Sequence, residues 1–371
     1  MSGTKVILRN IVGAFSDGAV LFPLLALLSM KAGFSGVTLL LTTGCAYIAA
    51  AVLFRVPMSV QPLKSIAVAS IAIGATALEV RSSGLMIGVI CAALALTHID
   101  RFVGRVPLAV SHQLQVGLGV LLIMQGGALI SFSMPGLLAL GATALMVLWP
   151  EVAGVPVLGL LATVGLCIAV FSSGSAGENV ATVAAPGAMR PLLVLGLIIP
   201  QFFLTMANSV LATRNVSERY FGAAASRVTI RRLLGSIGLG NIAVAAVGGM
   251  PFCHGSGGVT AHVRGGATKP WSTALMGIVL LALAFVQFAS GSKTLIYPPL
   301  LVAPLLMATG VFHLQLAAST AKQRVGMAKL IAAAVVTIAT KNLLLVLCAA
   351  VAFEWIERRN HDPASGSTEY S

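Results

Sequence analysis

The stretch RVPMSVQPLKSIAVAS, residues 55–70, sets two prolines, a glutamine and a lysine inside a chain that is otherwise almost continuously apolar. Irregular backbone at membrane depth is tolerated only where it is buried in protein or lines a cavity. A second stretch, MPFCHGSGG (250–258), has the same form. Each opens with a hydrophobic residue and a proline, Val56-Pro57 and Met250-Pro251, and a short apolar segment begins a few residues later. Another pairing runs in step with it: Asp17 lies 40 residues before Pro57, and Asn208 lies 43 before Pro251. Paired, Gly/Pro-interrupted short segments in two halves of a chain point to a transporter's midplane binding site between inverted repeats.

Composition supports this setting. The 371 residues are 58% hydrophobic and 9% charged, with a mean hydropathy of +0.99, which excludes a soluble globule. Apolar runs of bilayer-spanning length recur from Ile11 to Trp355. The expected fold is an all-α polytopic membrane protein with about fourteen transmembrane segments. They fall near 11–30, 36–54, 62–78, 84–99, 107–131, 137–149, 155–171, 191–213, 230–249, 256–267, 271–290, 295–316, 327–340 and 342–356. Seven spans per half invert the second copy, so residues 1–357 read as one transmembrane domain with repeats at about 10–171 and 190–357. Residues 358–371 read as a short polar cytoplasmic tail. Lys5 and Arg9 precede a run that contains Asp17 and Pro23 and has no small-residue cleavage site, which suggests a first span and not a leader.

The net charge of +13 and pI near 10.2 reflect topology, since Lys and Arg fall between apolar runs and form no aromatic-interleaved nucleic-acid patch. With both termini cytoplasmic, Arg101, Arg105, Arg214 to Arg232, Arg264, Lys269, Lys322 to Lys329, Arg358 and Arg359 face inward. Lys31, Arg81, Arg190 and Lys293 face outward, as the positive-inside rule requires. Five cysteines without a CxxC pair imply no disulfide framework, and Cys253-His254 lacks zinc-ligand spacing. His98, Asp100 and Arg101 read as interfacial anchors.

Two half-helices that start near the midplane bring together N-termini with unpaired N–H groups and about half a positive charge each, which favours an anion between them. Pro62 suits a first helical position, and Ser256 an N-cap followed by Gly257 and Gly258. A lysine in a first helical turn opposes the dipole, and near the bilayer centre it costs ~2.5–3.5 kcal/mol. Lys64 therefore calls for a negative partner, either a bound oxyanion or Asp17. His254 reads as a neutral donor to an anion or as a packing histidine, and Asn208 as a ligand group or as a helix–helix hydrogen bond.

FSDGAVLFPLL, VPMSVQPLKSIA, VSHQLQVGLGVLL, PGAMRPLL, PQFFLTMANSVLAT and MPFCHGSGGVTAHVRGGA together resemble the bacterial and plant molybdate transporters related to the sulfate permeases. The resemblance implies a seven-plus-seven inverted repeat divided into core and gate domains, without a C-terminal STAS domain. It also implies a substrate site of Asp17, Ser59, Gln61, Lys64, Asn208, His254, Gly255, Ser256 and Gly257. Nucleobase permeases of the same fold use acids in the eighth span and tenth segment. Here the eighth span offers Asn208 and the tenth segment no acid.

The expected function is secondary transport of a tetrahedral oxyanion, molybdate first. Alternatives are a sulfate transporter, an oxyanion channel or, further off, a nucleobase permease. No nucleotide-binding motif or catalytic constellation is present, so an enzyme is not expected. The expected location is the cell membrane, and the expected partners are the bilayer and a small inorganic oxyanion. Proton coupling through Asp17 or His254, and a homodimer, stay open. No nucleic acid, cofactor or metal is expected.

Overall fold

A computed structural model describes residues 3–97, 108–130, 132–148, 154–172, 188–322 and 324–361. The expected interfacial anchors His98, Asp100 and Arg101, together with Arg105 and the tail beyond 361, lie outside the described residues.

The first half begins with α1 (Gly3–Phe15) and α2 (Gly18–Leu27), one span broken at Asp17 and continued by a π-helical turn, Leu28–Ala32. There follow α3 (Gly36–Phe54), the strand β1 (Gln61–Pro62) leading into the half-helix α4 (Lys64–Ile73), α5 (Ala77–Leu96), α6 (Leu108–Gly127), α7 (Met134–Leu148) and α8 (Gly154–Ser172). In the second half α9 (Pro191–Leu204) runs through a π-helical stretch, Thr205–Ala212, into α10 (Thr213–Phe221). Then come α11 (Ile230–Ala246), β2 (Phe252–Cys253) with the half-helix α12 (Ser256–Arg264), α13 (Pro270–Ala289), α14 (Pro299–Leu316), α15 (Arg324–Thr340) and α16 (Leu343–His361).

This is a seven-plus-seven arrangement with the two broken segments in corresponding places. Seven of the described helical segments are long and apolar enough to cross a membrane by length and composition. Several boundaries move outward from those expected. The first span starts at Gly3, the last helix runs to His361, past the expected end at 356 and into residues read as a polar tail, and the fourth span starts at Ala77, where Thr76 and Glu79 form a reciprocal capping box that carries the helix into polar sequence.

The repeat is visible in packing. α3 lies along α13, α5 along α11, and α6 along α14. Exchanging the halves turns the first contact into the second and the third into itself. Small residues allow each crossing, as is usual between helices in lipid. A Cβ on Gly44, Gly88 or Gly119 would stand 2.8, 3.0 or 2.7 Å from the carbonyl oxygen of Gly277, Gly238 or Gly310 respectively.

Polar contacts gather at the two ends of the bundle. At one end Arg81 Nη2 donates to Ala245 O at 2.7 Å, Arg190 Nε to Glu79 Oε1 at 2.7 Å, and Gly36 N–H to Lys293 O at 2.7 Å. At the other, Arg231 Nε donates to Ala95 O at 3.0 Å, and Asn10 Oδ1 accepts from Thr268 N–H and Lys269 N–H at 2.8 and 2.9 Å. Large apolar side chains such as Leu192, Leu239, Phe285 and Phe288 point outward, as a lipid-facing surface requires.

Candidate functional site

The two interrupted segments meet at the centre. β1 and β2 pair antiparallel, Gln61 opposite Cys253 and Pro62 opposite Phe252, and Leu63 N–H donates to Pro251 O at 2.9 Å. Asn241 on α11 closes the outer edge of β2, accepting from Phe252 N–H at 2.7 Å and donating to Phe252 O at 2.8 Å. The irregular backbone is thus hydrogen-bonded inside protein, the condition for its presence at this depth. The pairing also sets the N-termini of α4 and α12 side by side.

Helix starts differ from those read from sequence. α4 begins at Lys64 with Leu63 as its N-cap, so Pro62 lies in β1, where it takes no helical position. Gly255 is the N-cap of α12, and Ser256 is its first residue. The Ser256 hydroxyl reaches sideways, donating to Asn208 Oδ1 at 2.7 Å. The N–H groups at the start of α4 are not all free for a ligand either: Gln201 Oε1, from α9, accepts from Ser65 N–H at 2.9 Å and Ile66 N–H at 3.4 Å.

Asp17 sits at the break of the first span, fully buried. Tyr47 OH donates to its Oδ2 at 3.0 Å, Gln61 Nε2 donates to its Oδ1, and His262 Nε2 stands 3.9 Å from Oδ2. Lys64 does not pair with it: among the described residues no carboxylate lies within ion-pair distance of the Lys64 ammonium.

His254 is also fully buried, and both ring nitrogens are engaged. Nδ1 donates to Ser59 O at 2.8 Å, so Nε2 accepts from Ser236 Oγ at 2.8 Å. Of the two roles left open for His254, these bonds match the packing one, tying the residue ahead of β1 and α11 to the α12 entry. The Ser59 hydroxyl has a similar part, donating to Gly255 O at 2.8 Å.

The glycines divide. A Cβ on Gly255 would stand 2.6 Å from Gln61 Oε1, and one on Gly258 2.5 Å from Ser59 Cβ and 2.8 Å from Asp17 Oδ2. These two are small because the cluster packs against them. A Cβ on Gly257 would meet nothing within 4 Å.

Lys64, 8% exposed, instead borders a small cavity with Gln115, Gln201, Asn208, Ser209, Cys253 and His313. Leu118 and Leu204 complete its wall, whose polar groups beside Lys64 are amide, hydroxyl, thiol and imidazole, with no acid. Its volume is about 10 Å³, room for roughly one water and too small for a tetrahedral oxyanion. Gln115 on α6 and His313 on α14 are hydrogen-bonded to one another and close one side. The structure therefore brings Lys64 and Asn208 to one cavity, joins Ser256 to Asn208, and places Asp17, Gln61, Ser59, His254 and Gly255 in the packed layer behind. Sequence reasoning missed Gln115, Gln201, Tyr47, His262 and His313. All but Tyr47 are strongly polar residues within or beside apolar segments, a signal of function at membrane depth that could have found them.

Comparisons with known proteins agree with this architecture. The family described as "Molybdate transporter of MFS superfamily" matches residues 9–122 and 193–312, taking in both interrupted segments. Molybdate transporter 1 of Arabidopsis thaliana is 25% identical over 342 residues, covering 75% of this chain and 73% of the plant protein. Among solved structures, the transmembrane domain of the cyanobacterial bicarbonate transporter BicA superposes with a TM-score of 0.62 at 17% identity, covering 93% of this chain and 97% of BicA's. The murine Slc26a9 anion transporter in its inward-facing state gives 0.66 at 13% identity, over 95% of this chain and 68% of the other.

Proposed function

The chain belongs to the molybdate transporter family, and on that premise we propose that it carries molybdate, bound as a dianion beside Lys64 at the paired half-helix N-termini. It is a multi-pass membrane transporter and not an enzyme. One observation carries the site assignment: Lys64 is buried, heads the half-helix α4, borders a cavity without acids, and has no carboxylate within ion-pair distance among the described residues. An uncompensated cation at this depth costs ~2.5–3.5 kcal/mol or more, and a bound anion offsets that cost. One ammonium plus two helix termini of about half a charge each give roughly +2, the complement of a tetrahedral dianion.

The cavity is too small for molybdate in this conformation, so binding requires α6 and α14, which carry Gln115 and His313, to move away from the half-helices. That movement is the transport step in our reading, with residues 1–357 as one transmembrane unit, both termini cytoplasmic, and ion gradients as the energy source. Sulfate has the same shape and charge and is the nearest competitor. Discrimination rests on size, with Gly257 as the one glycine of the three at the α12 entry that has open space before it.

Isothermal titration of purified protein with molybdate tests the site. Lys64→Gln should weaken binding more than tenfold, about 1.4 kcal/mol or above, while the elution profile and yield stay near wild type. Unchanged affinity with a loss of folded protein would make Lys64 a packing residue and remove the site assignment.

A further inference from the structure

The sequence left two candidates for a coupling proton, Asp17 and His254, and the hydrogen bonds separate them. His254 has a carbonyl on Nδ1 and a hydroxyl on Nε2, both filled by the neutral ring. His262, on the second turn of α12, is in a different position. Its Nδ1 lies 2.8 Å from Gly13 O, an atom that only accepts, so Nδ1 carries hydrogen. In the neutral ring, Nε2 then presents a lone pair. That nitrogen is fully buried without a hydrogen-bond partner and faces Asp17 Oδ2 at 3.9 Å. A lone pair opposite a carboxylate in a closed interior is an unfavourable arrangement, and a single proton placed between them removes it.

We infer that Asp17 and His262 form a binding site for one proton, and that its occupancy favours binding of the oxyanion beside Lys64. The proton resides on Nε2 as an imidazolium–carboxylate pair or on Oδ2 as a neutral pair. Either way the site gains one unit of charge. Four elements meet there: the break of the first span supplies Asp17 and the Gly13 carbonyl, α12 supplies His262, α3 supplies Tyr47, and β1 supplies Gln61, three residues before Lys64. The other titratable groups around Asp17 are Tyr47 from α3, Lys64 from α4 and Cys253 from β2. Arg9 and Arg264, on the neighbouring turns of α1 and α12, are exposed.

The linkage follows from charge. With Asp17 ionised and His262 neutral, the Asp17 carboxylate, though beyond ion-pair distance of Lys64, still opposes a dianion held by Lys64 and the two helix termini. The added proton removes that opposition. Proton and oxyanion therefore favour each other, and by reciprocity each raises the affinity of the other by the same factor. Such a pair makes inward proton movement and oxyanion uptake travel together. The linkage rests on the oxyanion reading given above; the proton site itself does not.

Infrared difference spectra of the purified protein, recorded from acidic to alkaline pH without substrate, test the proton site. Wild type should show a carboxyl or imidazole band that titrates and is absent from Asp17→Asn. His262→Gln, which keeps the carboxylate, should shift that titration, and it serves if the asparagine variant folds poorly. Identical spectra in all three proteins would overturn the site.

Titration with molybdate across the same range tests the linkage. Wild-type affinity should fall about tenfold as the pair loses its proton, and Asp17→Asn should hold the tighter value within about twofold throughout. Molybdate binding that is independent of pH in the wild type would overturn the linkage and leave the oxyanion reading standing. A titrating band in a wild type that binds no molybdate would support the proton site and overturn the oxyanion reading.

Discussion

At the scale of single residues, the site is a division of labour between polar groups that hold the backbone and one cation without an ion-pair partner among the described residues. Gln61 bonds to Asp17, and Ser59, His254 and Gln201 bond to backbone, whereas Lys64 borders the cavity. The three glycines at the α12 entry make this testable. Gly258→Ala sets a methyl group against Ser59 and Asp17, and overpacking of this kind costs about 1–3 kcal/mol, read as a lower unfolding midpoint in detergent. Gly257→Ala meets open space and should leave that midpoint unchanged while lowering molybdate affinity more than sulfate affinity. Equal loss of stability in both would remove Gly257 from the ligand's surroundings. Lys64 was legible in the sequence because its cost is visible there: a charge in a first helical turn, deep in apolar surroundings. Which partners fill His254 was not legible, since Ser59 O and Ser236 Oγ reach it only through the fold.

At the scale of elements, the Gly/Pro interruptions located both half-helices, but not the strand pair between them. Two residues on each side, Gln61–Pro62 and Phe252–Cys253, are too short for an alternating pattern and are strands only because each finds the other. Pairing drew Pro62 into β1 and moved the first helix start to Lys64, while at the second Gly255 took the cap and Ser256 became the first helical residue. The π-helical stretch Thr205–Ala212, which carries Asn208, also left no sequence signal, although its counterpart in the first half is the break at Asp17. Helix crossings are a stronger constraint. Gly119 and Gly310 bring α6 and α14 into backbone contact, and both helices carry residues that close the cavity. Gly310→Val should therefore destabilise the protein by about 1–3 kcal/mol in a thermal unfolding assay. No change in stability would mean that α6 and α14 are not locked together as described.

At the scale of the whole molecule, the inverted repeat was readable from three things: segment count, charge distribution and the two matched interruptions. Packing then repeats the message, with α3 on α13 exchanging with α5 on α11. Sidedness is the part that rests on charge alone, and it is open to labelling. In a background free of the five native cysteines, Ala224→Cys and Lys293→Cys, both exposed, should react with an impermeant thiol reagent from opposite sides, the former only from the cytoplasm. Same-side reaction would break the seven-plus-seven topology. We propose that this topology serves a tetrahedral oxyanion, for which the decisive measurement is uptake of radiolabelled molybdate into proteoliposomes of the purified protein. Uptake should saturate, with sulfate competing weakly and uracil having no effect. Absence of molybdate uptake, or its displacement by uracil, would contradict that proposal.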